Sequence, residues 1–175
     1  MHLSPNSPID LQLHTTNSDG NWTPEQLFDH LAAENFALVA ITDHDRADTV
    51  AQILQLGADR GIPVIPAVEM SCTLDDLMVD ILCYNFAPGP SPLATIANRT
   101  LQTQLDNFRE VRETLERNGY TFPRADEILA SSNGILRNVG DLINLMVAHG
   151  YQNEMRPAVR ATNYRMIMAE IPEVV

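Results

Sequence analysis

The chain has no lysine: all 11 basic residues among its 175 are arginines. That removes lysine Schiff bases, lysine nucleophiles and the P-loop lysine, and leaves His, Asp, Glu, Arg, hydroxyls or metal ions to carry any chemistry. Cysteine is scarce too. Cys72 and Cys83 show no CxxC spacing, so neither a disulfide framework nor a zinc knuckle is indicated. No apolar run approaches the ~18 residues of a membrane span. The opening "MHLSPNSPID" has neither the basic nor the apolar region of a secretory leader. A soluble, cytoplasmic protein with no membrane partner is the expectation. Positive charge is in deficit, with 23 acids against 11 bases and a net charge of −12. The surface as a whole should therefore offer no non-specific grip on nucleic acid. A pocket could still take phosphate where a divalent cation neutralises its acids.

What is present reads as one ordinary domain or part of a larger one. The first half alternates strand and helix signals. Ile9 to His14 is a short strand, and "TPEQLFDHLAAENF" a well-marked helix with Thr23 as N-cap, Pro24 at N1 and Gln26 at capping-box spacing. "ALVAIT" (37–42) is a buried strand, "RADTVAQILQLGADR" a second helix ending near Gly61, and "IPVIPAVEMS" a third strand. "DLMVDILCYNF" is a fourth, paired with the third as a hairpin through "TLDD". This order predicts an α/β fold with parallel strands and right-handed crossovers. After "APGPSP" a long helix is expected from Leu93 to Arg117, closed by "NGY", with short helices over 123–131 and 140–149. The division is into a β/α part, 1–86, and a helical segment, 87–175.

Acid–base and metal-ligand residues gather at predicted strand ends: His14 and Asp19 after strand one, "TDHD" (42–45) after strand two, and Glu69 after strand three. The C-terminal edge of parallel strands is where such folds build active sites. Histidine with carboxylates suits Zn, Mn or Fe. Each feature also has a structural explanation. His14 could simply be hydrogen-bonded, "SDG" is a turn in which Gly20 supplies φ > 0, and Asp45 could cap the second helix. Glu69 is harder to dismiss, because an acid closing an apolar strand is costly unless paired or metal-bound.

"DLQLHTTNSDG", "AITDHD" and "PAVEMS" resemble the first three motifs of the PHP family (polymerase and histidinol phosphatase), metal-dependent phosphoesterases on a distorted (β/α)7 barrel. The match covers roughly residues 8 to 86, and 93–171 resembles the family's inserted helical region more weakly. The resemblance implies that His14 is a ligand of paired metals, that Glu69 bridges them, and that Asp19 and His44 hold a further ion. Asp10, Asp43 and Asp45 would orient the ligands. The implied cofactors are divalent ions (Mn, Zn or Fe), up to three in the family and fewer here. The implied reaction is hydrolysis of a small phosphate monoester or nucleotide end by metal-activated water. Arg137 is a candidate phosphate contact by its fork geometry, or a plain surface arginine.

The pattern departs from the family in several places. Gln12 stands where the first histidine is usual, and an amide oxygen is a weak substitute for imidazole at Zn or Fe. Asp80 stands where a later histidine is usual, and can still ligate a hard ion. The family's late His-Pro and Asp-x-His motifs have no counterpart. The expectation is a truncated barrel of TIM-like type with a helical insertion. Its open sheet edge would be covered by the long helices or by a homo-oligomer. The alternative function is a catalytically impaired relative serving as a metal-binding or interaction module. An amidohydrolase with a carbamylated lysine is disfavoured by the absence of lysine.

Overall fold

The structure, a computed structural model, describes residues 3–75, 77–125, 145–146 and 148–151. Strands β1 (Ile9–Leu13) and β2 (Leu38–Ile41) pair in parallel, while β3 (Ala67–Leu74) and β4 (Leu77–Tyr84) form an antiparallel hairpin. Helix α1 (Pro24–Ala33) joins β1 to β2, α2 (Val50–Asp59) joins β2 to β3, and α3 (Pro92–Arg117) follows β4. The mixed α/β order is the one expected. Among the described residues the strands close no barrel, and no further strand pairs with the outer edge of β4.

The third strand begins later than its apolar run predicts. Pro63 and Pro66 carry no N–H, so residues 62–66 cannot keep a regular ladder, and β3 starts at Ala67. The stretch still touches β2. Val39 donates to the Pro63 carbonyl at 3.1 Å, Ile65 donates to Val39 at 2.9 Å, and the Asp45 N–H reaches the Glu69 carbonyl at 2.8 Å. Isolated parallel bridges at Val39–Val64 and His44–Glu69 complete the link. These contacts bring the end of β2 against β3, beside the strand ends that carry the polar motifs.

Helix α1 has the N-terminus its sequence calls for. The Gln26 N–H donates to the Thr23 hydroxyl at 3.3 Å, and the Thr23 N–H donates to the Gln26 side chain at 3.0 Å. Leu27, Phe28 and Leu31 repeat at helical spacing and are buried, packing with Val39, Ile41, Ile53 and Ile62. Leu13, the last residue of β1, packs on this cluster and so seats the residue that follows it. Helix α2 starts at Val50 rather than near Arg46. Residues 46–49 form a turn in which the Arg46 guanidinium grips both oxygens of Asp48, at 2.7 and 2.9 Å.

A second cluster joins the hairpin to the start of α3, with Ala47, Val68, Met70 and Ala97 buried and Leu93, Cys72, Cys83 and Phe86 around them. One compact unit runs to Leu101, and another begins at Gln102. In the latter, α3 shows a charged outer face, with ion pairs Arg109–Asp106 at 2.9 Å and Arg112–Glu116 at 2.9 Å. Tyr120 and Phe122 each pack edge to face on Tyr151. His149 uses both ring nitrogens there, accepting from the Arg124 N–H at 3.0 Å and meeting the Leu145 carbonyl at 2.8 Å. The short helices expected over 123–131 and 140–149 fall largely outside the described residues, and Arg137 lies outside them.

Candidate metal centre

Two side chains at the end of β1 meet one carboxylate, that of Glu69, which lies within β3 rather than after it because the ladder with β4 carries the strand on to Leu74. The Gln12 amide nitrogen lies 3.2 Å from Glu69 Oε2 and 3.4 Å from Oε1. His14, one residue past the strand, puts Nε2 at 3.1 Å from the same Oε2. Its other nitrogen, Nδ1, lies 3.2 Å from Asp19. His44 follows β2 and stacks on His14, with ring centroids 4.9 Å apart and planes at 30°. The second oxygen of Asp19 stands 3.9 Å from His44 Nε2, and Asp80 on β4 stands 3.8 Å from His44 Nδ1. His14, Asp19, His44, Glu69, Asp80 and Gln12 thus converge, although up to 68 positions separate them in the chain (80 − 12).

The loop from His14 to Gly20 is held by a buried carboxylate. Asp43 accepts from the Thr15 N–H at 2.7 Å, the Thr15 hydroxyl at 2.7 Å and the Ser18 hydroxyl at 2.6 Å. Arg46 adds a bond to the Asn17 carbonyl at 3.1 Å. Asp45 does not cap α2. It sits at φ 54°, in the left-handed region that aspartate tolerates, and accepts from the Ser71 N–H at 3.1 Å. Gly20 likewise has a different reason from the one its turn motif suggests. Its φ is not positive, but a Cβ there would come 2.3 Å from the His14 carbonyl oxygen.

Thr15, Ser18 and Arg46 were not singled out by residue type, although the run of hydroxyls between His14 and Asp19 was the available signal. Tyr84 is a further one. Its hydroxyl donates to the Leu11 carbonyl at 2.7 Å and so ties the end of β4 to β1.

The electrostatics follow from the contacts. The hydrogen bond to Asp19 raises the His14 pKa above its ordinary value, against the opposing effect of burial. The same bond holds the Asp19 carboxyl down at about 2. The geometry sets Nδ1 of His14 against Asp19 and Nε2 against Glu69. One candidate atom from each of His14, His44 and Glu69 fits within 4.8 Å of the others, a spacing that suits a single cation. His44 Nδ1 is buried with no hydrogen-bond partner. A buried imidazole nitrogen without a partner is costly in a folded protein, and a cation would satisfy it. The donor set fits a divalent ion.

A sequence profile of the PHP domain matches residues 10–169. The chain belongs to the PHP family. Among curated proteins this PHP domain is 34% identical over 111 residues to a 3',5'-nucleoside bisphosphate phosphatase of Chromobacterium violaceum, covering 63% of this chain and 39% of that protein. It is 29% identical over 113 residues to a phosphoribosyl 1,2-cyclic phosphate 1,2-diphosphodiesterase of Eggerthella lenta, covering 63% of this chain and 43% of that one.

Among solved structures it is similar to an amidohydrolase of Chromobacterium violaceum with bound sulfate and no metal. The TM-score is 0.73 at 28% identity, over 88% of this chain and 54% of that one. A Bifidobacterium adolescentis protein assigned as a metal-dependent phosphoesterase has the same fold, with a TM-score of 0.73 at 21% identity over 93% of this chain and 56% of its own. The chain spans less than half the length of the curated relatives it matches. Among the described residues no helix is long and apolar enough to cross a membrane.

Proposed function

We propose that this PHP domain is a metal-dependent phosphoesterase that hydrolyses a small phosphate monoester or a nucleotide end. The observation that carries the reading is the convergence of His14, His44 and Glu69 at ligand spacing, with His44 Nδ1 buried, without a hydrogen bond and 3.8 Å from Asp80. A divalent cation held there supplies a Lewis acid for a phosphoryl oxygen and makes water a competent nucleophile near neutral pH. The protein's own groups do the positioning. Glu69, His14 and His44 are the proposed ligands, with Asp19 and Asp80 at the exposed side of the cluster. Asp19 holds the His14 proton on Nδ1 and so turns Nε2 inward, the usual second-partner arrangement for a metal-binding histidine. Asp43 keeps the His14–Ser18 loop in place and touches no ligand atom in the hydrogen bonds it accepts. Mn, Zn and Fe are all compatible with two imidazoles among carboxylates.

The named activities of the Chromobacterium and Eggerthella relatives support phosphate esters as the substrate class. The sulfate bound in the Chromobacterium structure supports it too, because sulfate shares the tetrahedral oxyanion shape of a phosphoryl group. The test is phosphate release from p-nitrophenyl phosphate and from a nucleoside 3',5'-bisphosphate, with and without Mn²⁺. Mn²⁺-dependent turnover is expected, abolished by chelation and lowered roughly 100-fold or more in Glu69→Gln.

The second reading is a metal-binding or interaction module without turnover. The Gln12 amide on Glu69, in a place where imidazole would be a better ligand, favours it. A folded, Mn²⁺-loaded chain that releases no phosphate from either substrate would leave that reading and remove the first.

A further inference from the structure

Glu69 is 6% exposed, and a carboxylate so placed persists only with donors or cations on its oxygens. His14 Nε2 lies 3.1 Å from Oε2, close enough to share a cation with it. The Gln12 amide lies astride the group, with one nitrogen facing both oxygens at 3.2 and 3.4 Å. A carboxylate bridges two cations only if both oxygens keep a side open to them. Here the side facing β1 is taken by a neutral donor with two N–H bonds to give.

We propose that Gln12 takes the place of one cation, so that the centre holds a single ion and Gln12 is a positioning residue that fixes Glu69 toward it. The proposal rests on reading the cluster as a metal centre, and it departs from the paired ions that the family resemblance implies. A second ion beside Gln12 would have to break both contacts to Glu69. It would gain at most the amide oxygen, a poorer ligand for these ions than an imidazole nitrogen. His14 belongs to the retained site, because its Nε2 meets Glu69 while its Nδ1 meets Asp19. The stacking of His44 on His14 keeps the second imidazole beside the same ion rather than at a distance.

Mn²⁺ titration of the purified chain tests this, by calorimetry for stoichiometry and by electron paramagnetic resonance for ion–ion coupling. The expected result is one ion per chain with the hyperfine pattern of an isolated Mn²⁺. Gln12→His should bind an additional ion and show an exchange-coupled signal. Gln12→Ala should keep a single ion but bind it roughly tenfold more weakly, because Glu69 loses its anchor.

A coupled pair in the unaltered protein overturns the proposal and leaves the phosphoesterase reading standing. A folded chain that binds no Mn²⁺ overturns both. Gln12→His with one isolated ion shows that Gln12 does not limit the count, and unchanged affinity in Gln12→Ala removes its positioning role. Position 12 is exposed, so both variants should fold, and circular dichroism checks that they do. The unaltered protein's spectrum decides the stoichiometry without either variant.

Discussion

Asp43 accepts three hydrogen bonds from Thr15 and Ser18 while almost wholly buried, which makes it the residue on which the His14 loop depends. Asp43→Asn keeps the size but replaces one acceptor oxygen with a donor facing a donor. One buried N–H or hydroxyl is left unsatisfied, and the expected cost is about 1–3 kcal/mol, read as a lower urea midpoint with an unchanged slope. Asp43→Asn should also weaken Mn²⁺ binding, although Asp43 is not a proposed ligand. If stability and affinity are both unchanged, Asp43 does not hold the loop. At this scale the residue types at the strand ends were legible in the sequence, because His, Asp and Glu are conspicuous on apolar strands. The roles of Thr15 and Ser18 were not. Hydroxyls are common in loops, and their partner lies 28 and 25 positions away.

At the scale of elements, the turn from β1 to α1 carries the strictest local requirement. Gly20 has no room for a side chain, because its Cβ would meet the backbone oxygen of His14 at 2.3 Å, and a backbone atom cannot rotate out of the way. Gly20→Ala should therefore push His14 and Asp19 apart. The expected outcome is weaker Mn²⁺ binding in calorimetry, with α1 intact by circular dichroism because its capping box lies beyond the turn. Full Mn²⁺ affinity in Gly20→Ala would show that the turn relaxes without cost to the site. The helices themselves were readable from caps and periodicity, and α1 and α3 fall close to where the pattern puts them. Two boundaries were not. β3 is shortened by prolines that an apolar run conceals, and α2 is delayed by the Arg46–Asp48 contact, which no helix propensity anticipates.

For the molecule as a whole, every proposed ligand, His14, His44 and Glu69, falls in the compact unit that ends at Leu101. Binding to the folded state alone should stabilise that unit by RT ln(1 + [L]/Kd), about 2.7 kcal/mol at a hundredfold excess over Kd. Hydrogen exchange with and without Mn²⁺ should show the added protection up to Leu101 and little beyond it. Glu69→Gln should show none. Protection spread evenly along the chain would mean that the two units respond as one.

The sequence by itself determined the succession of elements, the polar residue types on and beside the strands, and the family, because caps, periodicities and motif spacings are local and survive in a linear reading. Only the tertiary structure decided which atoms meet. Gln12 and Glu69 are 57 positions apart, and nothing local tells an amide that replaces a ligand from one that restrains a carboxylate. Strand pairing brings them within hydrogen-bond reach, and burial of Glu69 makes the contact matter, since a carboxylate removed from water must be answered by whatever the neighbouring strand presents.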